Sequence, residues 1–456
     1  MSHYESLVLR YELQTMNYSR ALRYLNSFTD LEKLAQLPKN SFFNLRRMEH
    51  LLQISGHPEK KFFPVLIAGT TGKGSTGFFL ESILKANGIR VGYYHSPHVE
   101  DPRERIRVQG AMASQKLWAD GLSEVRRLLL KKPIPPSMGV LTYFEILTFL
   151  AIWIFAREGI TLGIFEIGLG GRLDATNVLQ APLVILTPIH LDHETFLGRT
   201  IARIAAEKAA IIKPYAHAVT GKQFPDAIKV IRRRVKASRG SLWKAKLVSG
   251  VPLGLAGDFQ KMNAGTALKA SEVLKMQFNF PIDPKRSRIG LRSGGWKGRM
   301  ESFHRGGRRF ILDGAHNPLS VKELVRSLKI LKIRDPWLVF GAMNDKNSRE
   351  MLKTLSRFFS KVILTGIAGN RAKPVAMLIH EAKGLFKCVL TAHNIKEAID
   401  LFKKSAPPRK NVVVTGSFYL VGEARKILKT RDSGLGTRSG RSPLQGTYPE
   451  LRVPVF

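Results

Sequence analysis

Residues Phe63–Leu84 read FPVLIAGTTGKGSTGFFLESIL. The apolar run Val65–Ala68 leads into Gly69-Thr70-Thr71-Gly72-Lys73-Gly74-Ser75, after which Phe78, Phe79, Ile83 and Leu84 recur at helical spacing. Strand, glycine-rich turn and helix is the order a phosphate cradle requires. Glycines let backbone N–H groups converge on an anion, the helix N-terminus adds partial positive charge, Lys73 can reach a terminal phosphate and the Ser75 hydroxyl a metal ion. Gly74 stands where the strict phosphate-loop pattern places the hydroxyl residue directly after the lysine. On this stretch alone two readings stand: a nucleoside triphosphate site and a plain glycine-rich connection.

The same alternation continues outward. Apolar strands are expected in IRVGYYHSPHV, at 162–167 and at 183–189, with Ser96, Glu166, His190, Asp192 and His193 at their C-terminal ends. Helices are expected at 140–157 and 199–213, and strands alternating with helices imply a parallel sheet covered on both faces. Ligands of such sheets bind at those strand ends. The pattern weakens from 215 to 290, and Pro, Ser and Gly accumulate over 281–292, the expected linker. A second α/β pattern starts at Trp296 with the strands RRFIL, PWLVF, KVILT and NVVVT. This gives domains over 1–290 and 296–430, and a polar tail, 431–456, expected to be disordered.

The 456 residues carry 73 Lys+Arg against 35 Asp+Glu, a formal charge of +38. The densest basic run, Arg232–Lys246, is read as a solvated helix face and loop, because no nucleic-acid module surrounds it. One cysteine, Cys388, excludes a disulfide framework and is expected in a buried strand of a reducing compartment. Val140–Ala156 contains Glu145 and falls short of a membrane span, and the N-terminus lacks signal-peptide character. A cytoplasmic protein follows.

In order along the chain stand AGTTGKGS (68–75), SPH (96–98), ERIRVQG (104–110), EIGLGGRLDATN (166–177), LDH (191–193), EKAAI (207–211), GDFQKMNA (257–264), GRME (298–301) and LDGAHNP (312–318). Together they resemble the Mur-ligase-type amide ligases, and within them the folylpolyglutamate synthase/dihydrofolate synthase family. The resemblance implies an α/β, Mur-ligase-like fold: an N-terminal P-loop ATPase domain with a parallel sheet and a smaller C-terminal α/β domain. It implies an ATP-dependent ligation in which a substrate carboxylate becomes an acyl phosphate and L-glutamate displaces the phosphate. The acceptors are dihydropteroate and tetrahydrofolate polyglutamates.

By that resemblance Gly72, Lys73, Gly74 and Ser75 hold the triphosphate of ATP. Ser75, Ser96 and Glu166 match ligands of one Mg²⁺ and His193 a ligand of a second; hard oxygen and imidazole donors suit magnesium better than zinc. Lys208 matches a lysine that the family carbamylates, whereas His190 is read as a polar strand-end residue. Asn263, Arg299, Asp313 and His316 match residues that reach ATP from the second half. Thr142, Tyr143, Phe144 and Glu145, with Leu173, Asp174 and Ala175, resemble dihydropteroate-binding segments. Thr71 replaces the asparagine of the family's GTNGKGS, and Phe42 stands where an aspartate is often found. The implied protein is a monomer with no membrane and no specific nucleic-acid partner. Four other readings stay open: a synthase of folylpolyglutamate only, a peptidoglycan-precursor ligase, against which GGRLDATN argues, a P-loop ATPase stimulated by nucleic acid, and a degenerate non-catalytic relative, against which the presence of Lys73, Ser75, Glu166, His193, Lys208 and Asp313 argues.

Overall fold

The computed structural model describes residues 15–31 and 43–430. The N-terminal segment 1–14, Phe42 and the tail 431–456 lie outside the described residues. Val65–Ala68 have no exposed surface, because they belong to a strand covered on both faces. The first sheet comprises β1 (Phe63–Ala68), β2 (Val91–Tyr94), β3 (Ile106–Val108), β4 (Ala111–Met112), β5 (Leu162–Glu166), β6 (Leu183–Leu186), β7 (His217–Thr220) and β8 (Ser241–Lys244). Their order is β4-β3-β2-β5-β1-β6-β7-β8. β1 pairs in parallel with β5 and β6, placing Val65 beside Ile164 and Leu183; among these strands only the β2-β3-β4 edge is antiparallel.

Successive residues of a strand point to opposite faces, so β1 feeds two cores. Val65 and Ile67 pack with the helices Lys73–Ala86 and Gln260–Phe278. Leu66 and Ala68 pack with the helix Tyr143–Arg157. That helix is apolar on all sides and buried, and among the described residues no helix is long and apolar enough to cross a membrane. Its one acidic residue, Glu145, closes a capping box with Thr142 and accepts a hydrogen bond from Arg47 Nε at 2.9 Å. Both partners are buried. Arg47→Ala would strand a buried carboxylate, and we expect a loss of about 3–5 kcal/mol in the free energy of unfolding by denaturant titration.

The second sheet is built from β9 (Glu301–Arg305), β10 (Arg308–Leu312), β11 (Trp337–Phe340), β12 (Lys361–Thr365), β13 (Cys388–Ala392) and β14 (Asn411–Thr415), in the order β13-β12-β11-β14-β10-β9. All pairings are parallel except β9 with β10. The two-sheet architecture is the expected Mur-ligase-like one.

Two local expectations need correction. The stretch 281–292 is not an open linker: Pro284–Gly290 is a helix packed on Lys73–Ala86. Asn87 pins it, accepting from Asp283 N at 2.7 Å and donating to Ser287 Oγ at 3.2 Å. Pro at the first helical position is compatible with a helix start, which the composition argument ignored. Cys388 is half-buried rather than buried, because β13 is an edge strand. The weakly patterned region 215–290 holds two strands and the helices Pro225–Ala237 and Gln260–Phe278 besides.

Candidate active site

β1, β2, β5 and β6 all end on the same side of the first sheet, and their C-terminal ends carry the glycine-rich turn, Ser96, Glu166 and the His190–His193 loop. The turn is fixed from below: Thr70 and Thr71 N–H donate to Pro188 O at 2.9 and 3.3 Å. Gly72 caps the helix Lys73–Ala86 in a left-handed conformation, φ 85°. A Cβ there would stand 2.5 Å from Asn263 Oδ1, so only glycine admits this neighbour. Lys73 Nζ donates to Gly69 O at 3.2 Å and lies 3.9 Å from Glu166 Oε1. Ser75 Oγ accepts from Gln260 Nε2 at 3.2 Å, and Gln260 Oε1 accepts from Asn263 Nδ2 at 2.9 Å.

Glu166 is buried, and burial raises its carboxyl above the ordinary value despite the charges of Lys73 and Arg299. Tyr93 OH lies 3.2 Å from both Glu166 Oε2 and Gly74 O, tying strand end to turn. A Cβ placed on Gly74 would stand 3.5 Å from Trp296 Nε1, 3.6 Å from Glu166 Oε2 and 3.7 Å from Arg299 Nη2, so all three side chains border the start of the helix without an ion pair between carboxylate and guanidinium. Arg299 Nε is buried without a partner, and the guanidinium lies over the Phe418 ring at 4.5 Å. Burial lowers its pKa, opposed by Asp313 and Glu166. A buried guanidinium with an unpaired Nε–H and its Nη2 beside a glycine-rich turn is suited to receive anionic oxygens. Asp313, its carboxyl raised by burial, accepts from Met300 N and Ala315 N, both at 2.9 Å. His316 Nδ1 lies 2.8 Å from Gly314 O.

Asp192 joins the two halves. It accepts from Lys346 Nζ at 3.0 Å and Asn317 Nδ2 at 3.4 Å. Burial would raise this carboxyl, but Lys346, His193 and His316 outweigh it and hold it well below the usual range. His193, with a left-handed backbone of φ 50°, is lowered to about 4 by burial and Lys346, which keeps its imidazole neutral and able to ligate. Lys208, on the helix Ile201–Ala209, is 6% exposed rather than a surface lysine. Burial and then Lys73 lower its amine to about 7. His190 is buried at the strand end with its Nε2 unpartnered.

The residues matched to pteroate binding divide. Thr142 and Glu145 are engaged in the helix cap, and Tyr143 is buried. Phe144 is half-buried, and its ring lies so close to Gly168 that a Cβ there would stand 2.6 Å from Phe144 Cζ. Asp174 accepts from Gly168 N at 2.9 Å, Leu169 N at 3.0 Å, Thr176 N at 3.0 Å and Thr176 Oγ1 at 2.6 Å. Both its oxygens are thus taken by its own loop, between half-buried Leu173 and buried Ala175. Sequence reasoning did not assign Tyr93, Gln260, Asp192, Asn317 or Lys346. Gln260 and Asn317 lay inside quoted motifs, whereas Lys346 meets Asp192 only through the fold.

The oxygen donors suit magnesium. Ser75 lies in the first turn of the helix Lys73–Ala86, Glu166 ends β5, and half-buried Ser96 follows β2. Among the described residues no three His, Cys, Asp or Glu side chains converge into an all-protein cage. Sparse hard donors beside a phosphate cradle match an ion that keeps waters and binds substrate phosphates.

Residues 298–418 match the family described as Mur ligase, glutamate ligase domain. A folylpolyglutamate synthase of Lacticaseibacillus casei is 31% identical over 441 residues, covering 91% of this chain and 99% of its own length. A dihydrofolate synthase/folylpolyglutamate synthase of Bacillus subtilis is 32% identical over 411 residues, covering 84% and 95%. Among solved structures, a Mycobacterium tuberculosis folylpolyglutamate synthase complexed with ADP superposes with a TM-score of 0.82 at 28% identity, covering 91% of this chain and 99% of that one. The E. coli FolC complex with DHPP and ADP gives 0.77 at 27% identity, covering 91% and 98%. The chain therefore belongs to the folylpolyglutamate synthase/dihydrofolate synthase family, ATP-dependent ligases of the Mur ligase fold.

Proposed function

We propose that the cleft between the two sheets joins L-glutamate to dihydropteroate, forming dihydrofolate, and to tetrahydrofolate polyglutamates, at the expense of ATP. The observation that carries this reading is the gathering of Lys73, Glu166 and the orphaned Arg299 around the glycine-rich turn, with contributions from both halves of the chain.

In this reading the backbone of Gly72–Ser75 and the Lys73 ammonium cradle the triphosphate, and Asn263 and Arg299 close on it. Asp313 and His316 border the nucleoside. Ser75, Ser96 and Glu166 would hold one Mg²⁺ and His193 a second, supplying charge neutralisation of the phosphates. The substrate carboxylate attacks the γ-phosphorus and ADP departs. The glutamate amine then attacks the acyl carbon and phosphate leaves, with one proton released. Lys208, carbamylated, supports the metal site from its helix. Phe144 and the Leu173–Ala175 loop wall the pterin end, Asp174 shaping that loop and Thr142–Glu145 fixing the helix that presents Phe144. The units 1–290 and 296–430 act as two bodies closing on ATP, which excludes water from the acyl phosphate. The protein works as a cytoplasmic monomer.

Phosphate release from ATP and Mg²⁺ tests this directly. We expect release that requires glutamate together with dihydropteroate or tetrahydrofolate, and none above background when the acceptor is omitted. Acceptor-independent release, or release driven only by muramyl nucleotides, would overturn the assignment.

A further inference from the structure

Positive charge is concentrated at one edge of the first sheet. Residues 209–257 contain ten Lys and Arg and a single acid, Asp226. The helix Pro225–Ala237 buries Ala227, Ile231 and Val235, while Lys229, Arg232, Arg233 and Lys236 are exposed. These four stand at i, i+3, i+4 and i+7, so they form one stripe about 10 Å long at about 1.5 Å rise per residue. Like charges at that spacing disfavour a helix. Among the described residues none of the four is within ion-pair distance of a carboxylate, and the helix's one acid, Asp226, stands at its first turn.

The stripe continues around the sheet. The helix packs against β8, which among the described strands is the outermost of its sheet and ends in exposed Lys244, followed by exposed Lys246. Beyond them lies a cavity of about 350 Å³ lined by Val251 and Leu268 and by Lys244, Lys246 and Arg288, with one acid, Glu272, which is paired with Lys269. Leu247, 62% exposed, stands at its rim. None of these residues belongs to the candidate nucleotide site.

We propose that this edge binds a single-stranded nucleic acid without regard to sequence, its phosphates along the Lys229–Lys236 stripe and β8 and an unstacked base in the cavity. The stripe helix packs on one face of the sheet and the recess opens on the other, so the strand turns around the β8 edge, its phosphates on the cationic track that single strands use and a base against the aliphatic side chains of the recess. A second copy of the chain is disfavoured by like charge, +38 on each. A lipid surface is disfavoured because the apolar face of the helix is buried and has nothing to insert.

The test is fluorescence anisotropy of the full chain with an end-labelled 20-mer of polyuridylate across a salt series. The triple variant Arg232→Glu, Arg233→Glu, Lys236→Glu should weaken binding at least tenfold and flatten the log–log salt slope by about 2, at about 0.7 for each single-strand phosphate that is no longer neutralised. A control with the same change in net charge, Lys396→Glu, Lys404→Glu, Arg409→Glu, sits on exposed positions of the second half and should weaken binding less than threefold. Ligase turnover and melting temperature of the stripe variant should match the parent, which shows that the weakening is not unfolding. Equal losses in stripe and control variants would overturn the proposal, because net charge alone would then suffice. So would absence of binding at 50 mM salt, equal binding of a duplex, or a stripe variant that loses phosphatidylserine vesicles and keeps the RNA.

Discussion

Lys73→Ala should lower kcat/KM for ATP-dependent ligation by about 10²–10³, the scale on which loss of one preorganised charge-stabilising donor is felt in a desolvated site. Among the described residues the ammonium meets Gly69 O and, more distantly, Glu166, so its removal deletes charge from the cradle without opening the core. Folding should persist by circular dichroism. The reason for a large effect is geometric: Lys73 begins the helix whose N-terminus faces the turn, so ammonium and backbone N–H groups act on the same oxygens. Lys73→Arg should not restore the rate, since a guanidinium is a planar fork where the turn presents room for a point charge. A parent-like rate in the alanine variant would sink the phosphate-site assignment.

Lys208→Ala should cost about 10–100-fold in turnover, the scale for a group that supports metal ligands from behind, with partial recovery in millimolar formate or acetate. Carbamate formation needs the free amine: the nitrogen lone pair adds to CO₂ and one proton is released. An amine at about 7 is about half free at neutral pH, whereas an ordinary lysine at 10.5 is almost wholly protonated. Activity should therefore fall as pH drops below about 7 and be restored by added bicarbonate. In CO₂-free buffer, where the amine is unmodified, the same shift has a stability signature. Between about 7 and 10.5 the unfolded chain holds a proton that the native chain lacks, so stability rises with pH across that window, and Lys208→Met should remove the rise in a denaturation series. A variant that no acid rescues, with an unchanged pH profile, would leave Lys208 a buried structural amine.

What was legible in the sequence was what short backbone segments must do for themselves. The turn Gly69–Ser75 announces its shape because glycines and an apolar strand are both needed locally, and the strand ends carrying Ser96, Glu166 and His193 follow from the alternation of apolar runs. The Lys346–Asp192 pair was not legible: Asp192 was read at its strand end, but its partner stands 154 positions away and alone is an ordinary surface charge. Lys208 was placed by resemblance, but its burial beneath the site depends on helix packing that no spacing rule supplies. Over 281–292 composition misled, because Asp283 caps Arg286 N and Pro284 opens a helix there, while Asn87, remote in sequence, fixes that helix to its neighbour.

The four donors gathered by Asp174 carry a consequence for how such a loop can change over evolutionary time. One carboxylate sets the path of Gly168–Thr176, and an amide in its place would turn one acceptor into a donor facing N–H groups. Drift toward new substrates is thereby channelled into Phe144, Leu169 and Leu173, whose side chains can vary while the knot behind them stays tied. Invariance at Asp174 among descendants would be the mark of architecture rather than of any particular molecule recognised.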